Sequence, residues 1–290
     1  MTIELTDVHY SYPARQRGSS PALVGVSLVA GERECLGVVG PEGGGKSTLL
    51  SVMDALLKPD AGQVLRDGED VWEDPADLAS FRRGVGLCFQ FPEQQFLCET
   101  VGEELLFGIL PEDRDAMRGN AFQLLREFGL SPDAFLHRSP FSLSMGESRR
   151  VAIASSLIRQ PHLLLLDEPS AGLDGKGLQQ LEASINIARE HMATMVIVSH
   201  DLDFLASFAT RVIILAAGSI RYDGPAEDLL FDRARLRAYG YDVPEIVEVI
   251  EQLRASGSNI RQRLCSIGEL QAAAEGLPLA AGEKRNSQKE

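Results

Sequence analysis

Four cysteines in 290 residues, Cys35, Cys88, Cys98 and Cys265, lie scattered with no CxxC pair among them. That spacing argues against a zinc site or a disulfide framework and leaves them as small buried hydrophobes or free thiols. Positive charge is also scarce: 28 Lys and Arg face 42 Asp and Glu, a formal charge of -14. Such a surface repels a phosphate backbone, and no basic stripe offsets it, so nucleic acid is excluded as the main partner. No apolar run approaches the ~20 residues that cross a bilayer. The opening MTIELTDVHYSY has no basic segment followed by an apolar core, so no signal peptide is expected. The reading is of a cytosolic chain that reaches a membrane only through another subunit. No internal repeat is present.

What remains is an α/β pattern. Short apolar runs, CLGVVG, GVGLCF, HLLLLDEP, TMVIVSH and RVIILAAG, alternate with helical stretches such as KSTLLSVMDALL and KGLQQLEASINIAREH. Runs apolar on both faces suit parallel strands covered by helices. IELTDVHYSY, VGVSLVAG and GQVLRDGED alternate more clearly and read as an antiparallel β-subdomain, with PARQRGSSP as a loop. About 99–159 lacks a strand run and reads as an inserted helical subdomain within a unit of residues 1–224. Residues 225–278 read as a helical C-terminal extension, with Ile246, Val249, Ile250 and Leu253 sharing one helical face. The polar tail 279–290 is expected to be disordered.

GPEGGGKSTLL follows the first central run and matches GxxxxGK[ST] at Gly40, Gly45, Lys46 and Ser47. Backbone amides wrap a phosphate closely only where side chains do not intrude, a clearance assigned to Gly43, Gly44 and Gly45. The helix opening near Lys46 adds free amides and a positive dipole end. Lys46 would reach the β- and γ-phosphates, and the Ser47 hydroxyl would bind Mg²⁺. A second oxygen ligand is expected where LLLLDEP ends a buried strand in Asp167, since an acid there needs a cation or a hydrogen-bond partner. Glu168 follows, placed to orient or deprotonate an attacking water.

With those two motifs in place, the sequence resembles an ATP-binding-cassette ATPase over about Met1–Gly224. SLSMGESRRVAIASSLIRQP resembles the signature LSGGQ with its arginine-containing helix, CFQFPEQQ the glutamine loop, SAGLD the D-loop and IVSHD the switch-histidine loop. They occur in the family's order. The resemblance implies a RecA-like, mostly parallel sheet, ATP and Mg²⁺ as ligands, and a role for each motif residue. Tyr12 would stack on adenine, with Tyr10 as competitor, and Gly40, Pro41, Glu42, Gly43, Gly44, Gly45, Lys46, Ser47 and Thr48 would hold the triphosphate. Ser47, Gln90 and Asp167 would ligate magnesium. Glu168 would be the general base, His200 would fix the γ-phosphate and water, and Gln90 would also sense the transport subunit. Ser144, Met145, Gly146 and Glu147 would close over ATP held by a partner ATPase, beside the D-loop Ser170, Ala171, Gly172, Leu173 and Asp174. Ser144 and Glu147 also form S-x-x-E, a capping box marking a helix start.

Met145 replaces the signature's first glycine and Glu147 its glutamine; Glu42 replaces a small hydroxyl residue and is expected to point outward. FQFPEQQFLCETVGEELLFG and GYDVPEIVEVIEQL resemble the ATPases of energy-coupling factor importers. That subtype implies a second ATPase, identical or paralogous, a transmembrane coupling protein, and a membrane protein that captures vitamins or transition-metal ions such as cobalt and nickel. The chain would then sit at the cytoplasmic face of the membrane, held there by those subunits. Glu93, Glu99, Glu103 and Glu104 are candidates for an acidic dock that receives arginines of the coupling helices. The alternatives are a non-transport cassette of translation or DNA repair, and a regulatory nucleotide-binding subunit with a degenerate signature.

Overall fold

The computed structural model describes residues 1–13, 21–191, 194–256 and 270. The loop 14–20 and the tail 279–290 lie outside the described residues, as does most of the extension beyond 256.

The alternating segments form a four-stranded antiparallel sheet in the order β2-β1-β4-β5, from β1 (Ile3–Tyr10), β2 (Leu23–Ala30), β4 (Ala61–Arg66) and β5 (Glu69–Asp70). The continuous apolar runs form β3 (Cys35–Val39), β6 (Val85–Cys88), β7 (Leu163–Asp167), β8 (Thr194–Val198) and β9 (Arg211–Ala216). These five are parallel, and β10 (Ser219–Pro225) adds an antiparallel edge, giving the order β10-β9-β3-β8-β7-β6.

The helices are α1 (Lys46–Met53), α2 (Pro75–Arg83), α3 (Val101–Leu105), α4 (Arg114–Glu127), α5 (Pro132–Phe135), α6 (Met145–Leu157), α7 (Gly175–His191) and α8 (Leu202–Ala206). Three more close the described chain: α9 (Ala226–Leu230), α10 (Arg233–Ala238) and α11 (Glu245–Ala255).

β3, β7 and β8 are buried along their whole length, and alternate residues serve opposite faces. Leu36, Val38, Leu163, Leu165, Val196 and Val198 join one core with α1 and the antiparallel sheet. Their neighbours Cys35, Val39, Leu164, Leu166, Met195 and Ile197 join a second core with the α3–α11 helices. In register, Val38 and Asp167 both pair with Val198, and Val39 pairs with Ile214. The loops after β3, β7 and β8 therefore leave the sheet side by side at its carboxyl edge, where open α/β sheets hold ligands.

Three elements differ from the sequence reading. β10 and α2 had no clear signal, and the buried face of α11 is Ile246, Val247 and Ile250, with Val249 exposed. The apolar positions of α11 spread over more than one face, so the helix turns its tightest set inward.

Candidate functional site

The loop from Gly40 to Gly45 joins β3 to α1, and no side chain caps α1 at its Gly45 N-cap. The first-turn amides are thus left for a ligand. Of the three glycines assigned to clearance, Gly43 has open space beside it, whereas Gly44 and Gly45 pack against backbone. A Cβ on Gly40 would stand 1.9 Å from the Leu215 carbonyl oxygen, and one on Gly45 (φ +102°) would stand 2.4 Å from that of Ala22. These two are required by close packing against β9 and the start of β2, whereas the space beside Gly43 is open. Gly44 is buried in the loop, while Pro41 and Glu42 are exposed, Glu42 as expected.

Lys46 folds back over this loop, its Nζ donating to the carbonyl oxygens of Gly40 (2.8 Å) and Pro41 (3.0 Å). Burial lowers its pKa, opposed by the carboxylates of Glu168, Asp167 and Glu42. Tyr12, 50% exposed, stands over the start of α1 with its hydroxyl 3.1 Å from Thr48 Oγ1. Tyr10 is buried edge-on beneath it, which leaves Tyr12 as the ring available to a base.

Asp167 ends β7 and is buried. Burial raises its carboxyl above the ordinary range, against the pull of the Ser47 hydroxyl, Lys46 and His200. An exposed hydroxyl beside a buried carboxylate is an oxygen-only donor set, which fits a magnesium ion completed by phosphates and water. No cluster of three His, Cys, Asp or Glu exists among the described residues to hold a metal without such help.

Glu168 is 8% exposed and adopts φ +48°, a left-handed backbone that is costly for a residue with a side chain. Its Oε2 accepts the His200 amide at 3.1 Å. Its Oε1 lies 3.3 Å from His200 Nε2, outside hydrogen-bond geometry, and remains a buried acceptor without a donor. Burial pushes this carboxyl up to about 7. Burial and Lys46 together lower the pKa of the partly exposed His200 imidazole.

Gln90 reaches this region through its backbone. Arg149 of α6, itself buried, donates to the carbonyl oxygens of Glu168 (2.6 Å), Pro169 and Gln90 (3.4 Å). The Gln90 side chain is exposed.

Ser144 caps α6 as expected: its hydroxyl accepts the Glu147 amide (3.4 Å) and Glu147 Oε2 accepts the Ser144 amide (2.8 Å). Met145, 52% exposed, reaches over the D-loop, where a Cβ on Gly172 would meet its Sδ at 2.9 Å. Ser144, Met145, Gly146, Glu147, Gly172, Leu173 and Asp174 line one open cavity that none of the Gly40–Thr48 residues lines. Ser170 is buried against Ser199 (3.3 Å), Ala171 is half-buried, and Asp174 caps α7 through the Gly177 amide (2.7 Å). The structure therefore gathers the phosphate loop, Asp167, Glu168 and His200 at one place and the signature with the D-loop at another.

The acidic dock needs correction. Glu104 is buried, and its Oε2 accepts the amides of Leu97 and Cys98, both at 2.9 Å. Glu103 completes a capping box with Thr100. Both acids bond to the local chain, but only Glu104 is withdrawn from the surface; Glu93, Glu99 and Glu103 stay exposed.

Arg149 and Tyr241 were not singled out in the sequence. Tyr241 reaches the site from the turn between α10 and α11, its hydroxyl accepting the Gly40 amide at 2.7 Å. The only hints were those of the resemblance: the arginine-containing helix for Arg149, and the stretch GYDVPEIVEVIEQL, in which Tyr241 lies.

A family model described as "ABC transporter" matches residues 23–171. The energy-coupling factor transporter ATP-binding protein EcfA2 of Symbiobacterium thermophilum is 40% identical over 270 residues, covering 91% of each chain. The corresponding protein EcfA of Methanothermobacter thermautotrophicus is 35% identical over 90% of this chain and 83% of its own. Among solved structures, cbiO1 of Clostridium perfringens, part of the ABC transporter complex cbiONQ, superposes with TM-score 0.69 at 26% identity. That match covers 86% of this chain and 98% of the other. The cassette MJ0796, solved as a dimer bound to ADP and Pi, gives TM-score 0.66 at 27% identity over 77% and 98% of the two chains. The chain belongs to the ABC transporter family and, within it, to the ATP-hydrolysing ATP-binding proteins of energy-coupling factor importers.

Proposed function

We propose that the chain works as one of two ATPase subunits that sandwich Mg-ATP and drive a transmembrane coupling protein with its substrate-capture partner. The capture protein would take vitamins or transition-metal ions such as cobalt and nickel, and this chain would lie at the cytoplasmic face without touching that cargo. Residues 1–224 form the ATP-binding unit in this reading, with the helical arm at about 99–159 and the extension from 225 onward.

The observation that carries the reading is the buried, donor-less Oε1 of Glu168, facing His200 beside Lys46. A carboxylate poised near neutrality suits taking a proton from water. Lys46 and the amides at the start of α1 would hold the β- and γ-phosphates, and Tyr12 would stack on the base. Ser47, Asp167 and Gln90 would bind the magnesium, which offsets negative charge on the phosphates. Glu168 accepts a proton from the attacking water as its oxygen bonds to Pγ and the bond from Pγ to the β-bridging oxygen breaks. His200 holds the γ-phosphate and water in line. The signature cavity with Ser144, Met145, Gly146 and Glu147 would close on the partner's nucleotide. Exposed Phe89, Phe91, Leu97 and Phe107, flanked by Glu93 and Glu99, offer a mixed apolar and acidic seat for the coupling protein.

The test is ATP turnover by the purified complex carrying Glu168→Gln. Turnover should fall about a hundredfold or more while Mg-ATP binding persists. Undiminished turnover would remove Glu168 from the role of base.

A further inference from the structure

We infer that Tyr241 is a positioning residue for hydrolysis, through which the C-terminal helices hold the switch histidine His200 in register with the phosphate loop. The inference rests on the function proposed above and adds a residue from outside the motifs.

The contact is reciprocal. The Tyr241 hydroxyl oxygen accepts the Gly40 amide at 2.7 Å, and the same hydroxyl reaches the Gly40 carbonyl oxygen at 2.9 Å. It also stands 3.4 Å from His200 Nδ1, and the two rings stack at 22° with centroids 6.4 Å apart. His200 thus meets Tyr241 at Nδ1 and Glu168 Oε1 at Nε2, 3.3 Å away. A partner at one ring nitrogen fixes the plane of an imidazole and hence the aim of the other nitrogen.

Tyr241 is held from both sides. α10 ends in a turn where Gly240 (φ +79°) donates to the Arg237 carbonyl oxygen and Tyr241 donates to that of Leu236. These two bonds close the helix end in a fixed left-handed turn. On the other side, the Asp203 carboxylate accepts the Glu245 amide (3.1 Å) and the Ile246 amide (3.3 Å), tying the start of α11 to α8. α8 begins two residues after His200. A turn clamped this way delivers its side chain to one place, so the hydroxyl acts as a spacer between Gly40 and His200.

Tyr241→Phe keeps the ring and removes only the spacer. In the complete transporter, kcat for Mg-ATP should fall roughly tenfold, with KM within about twofold of wild type. Unchanged kcat overturns the inference. So does a fall in thermal stability with kcat preserved, or a rise in KM that matches the loss of kcat, since either assigns Tyr241 to anchoring the loop alone. Glu168→Gln measured alongside separates the two readings. If that variant retains turnover, the proposed function fails whatever Tyr241→Phe does. If it is inactive while Tyr241→Phe turns over like wild type, only Tyr241 loses its role.

Discussion

The Arg149 guanidinium lies under the end of β7 and donates to the Glu168 carbonyl oxygen at 2.6 Å, while reaching the Gln90 carbonyl oxygen at 3.4 Å. One buried cation therefore joins the glutamine loop to the backbone of the proposed base. Its three carbonyl partners come from segments 59 and about 20 residues away in sequence.

Arg149→Lys keeps the charge and loses the planar fork that serves several acceptors at once. Carbonyl groups left without a donor each cost about 1–3 kcal/mol when buried. The expected outcome is a lower melting temperature and ATP turnover reduced about tenfold or more. A variant with wild-type turnover would show that the glutamine loop and Glu168 are held together by other means.

Gly40 and Gly43 predict opposite tolerances within one loop. Gly40→Ala would drive a methyl group into the Leu215 carbonyl oxygen, which only backbone movement relieves; strain and overpacking of that kind cost on the order of 2–5 kcal/mol together. Gly43→Ala meets no atom within 4 Å and bears only its φ of +71°, a cost of about 1 kcal/mol. Chemical denaturation of both variants should rank them in that order, and equal losses would contradict the packing argument.

Tyr12 makes its only described polar contact through Thr48, so stacking and hydroxyl can be separated. Tyr12→Phe should leave the KM for ATP within about twofold. Tyr12→Ala should raise it roughly tenfold, since stacking of a base on an aromatic ring is worth about 1–3 kcal/mol. If the two variants behave alike, the ring is not the adenine platform.

Asp54, the C-cap of α1, is buried with Arg82 nearby, and burial pushes its carboxyl up to about 7. Its unfolded value is near 4, so between about pH 4 and 7 the folded chain binds the extra proton. Stability should therefore decline as pH rises through that window, and the loss should be complete above it. Asp54→Asn removes the titration. The variant should match wild type near pH 4 and exceed it by up to roughly 4 kcal/mol at pH 8. A stability difference that does not change with pH would place Asp54 in a wetter setting.

The central strands were legible because a parallel sheet buried on both faces leaves continuous apolar runs, and β3, β7 and β8 are such strands. β10 was not: its residues SIRYDGP alternate between partly and fully exposed positions and end on proline, as an edge strand allows. The phosphate loop and the Ser144–Glu147 cap were readable because each is local chemistry within a few residues. Glu104 shows the limit of that approach, because a glutamate on a charged helix looks solvated until the loop it caps folds onto it. Arg149 and Tyr241 lay beyond reach for a related reason. Their meaning comes from partners 59 and 201 residues distant, which no periodicity encodes.

The alternation of β3, β7 and β8 between two cores makes the sheet a partition. Adjacent residues of one strand answer to different layers, so the close-packed sheet stands between the antiparallel layer with α1 and the α3–α11 helices. At the carboxyl rim of that wall Gly40, Glu168 and His200 emerge together, at the ends of β3, β7 and β8. On the function proposed above, a pull on the helical layer would reach the nucleotide through that rim.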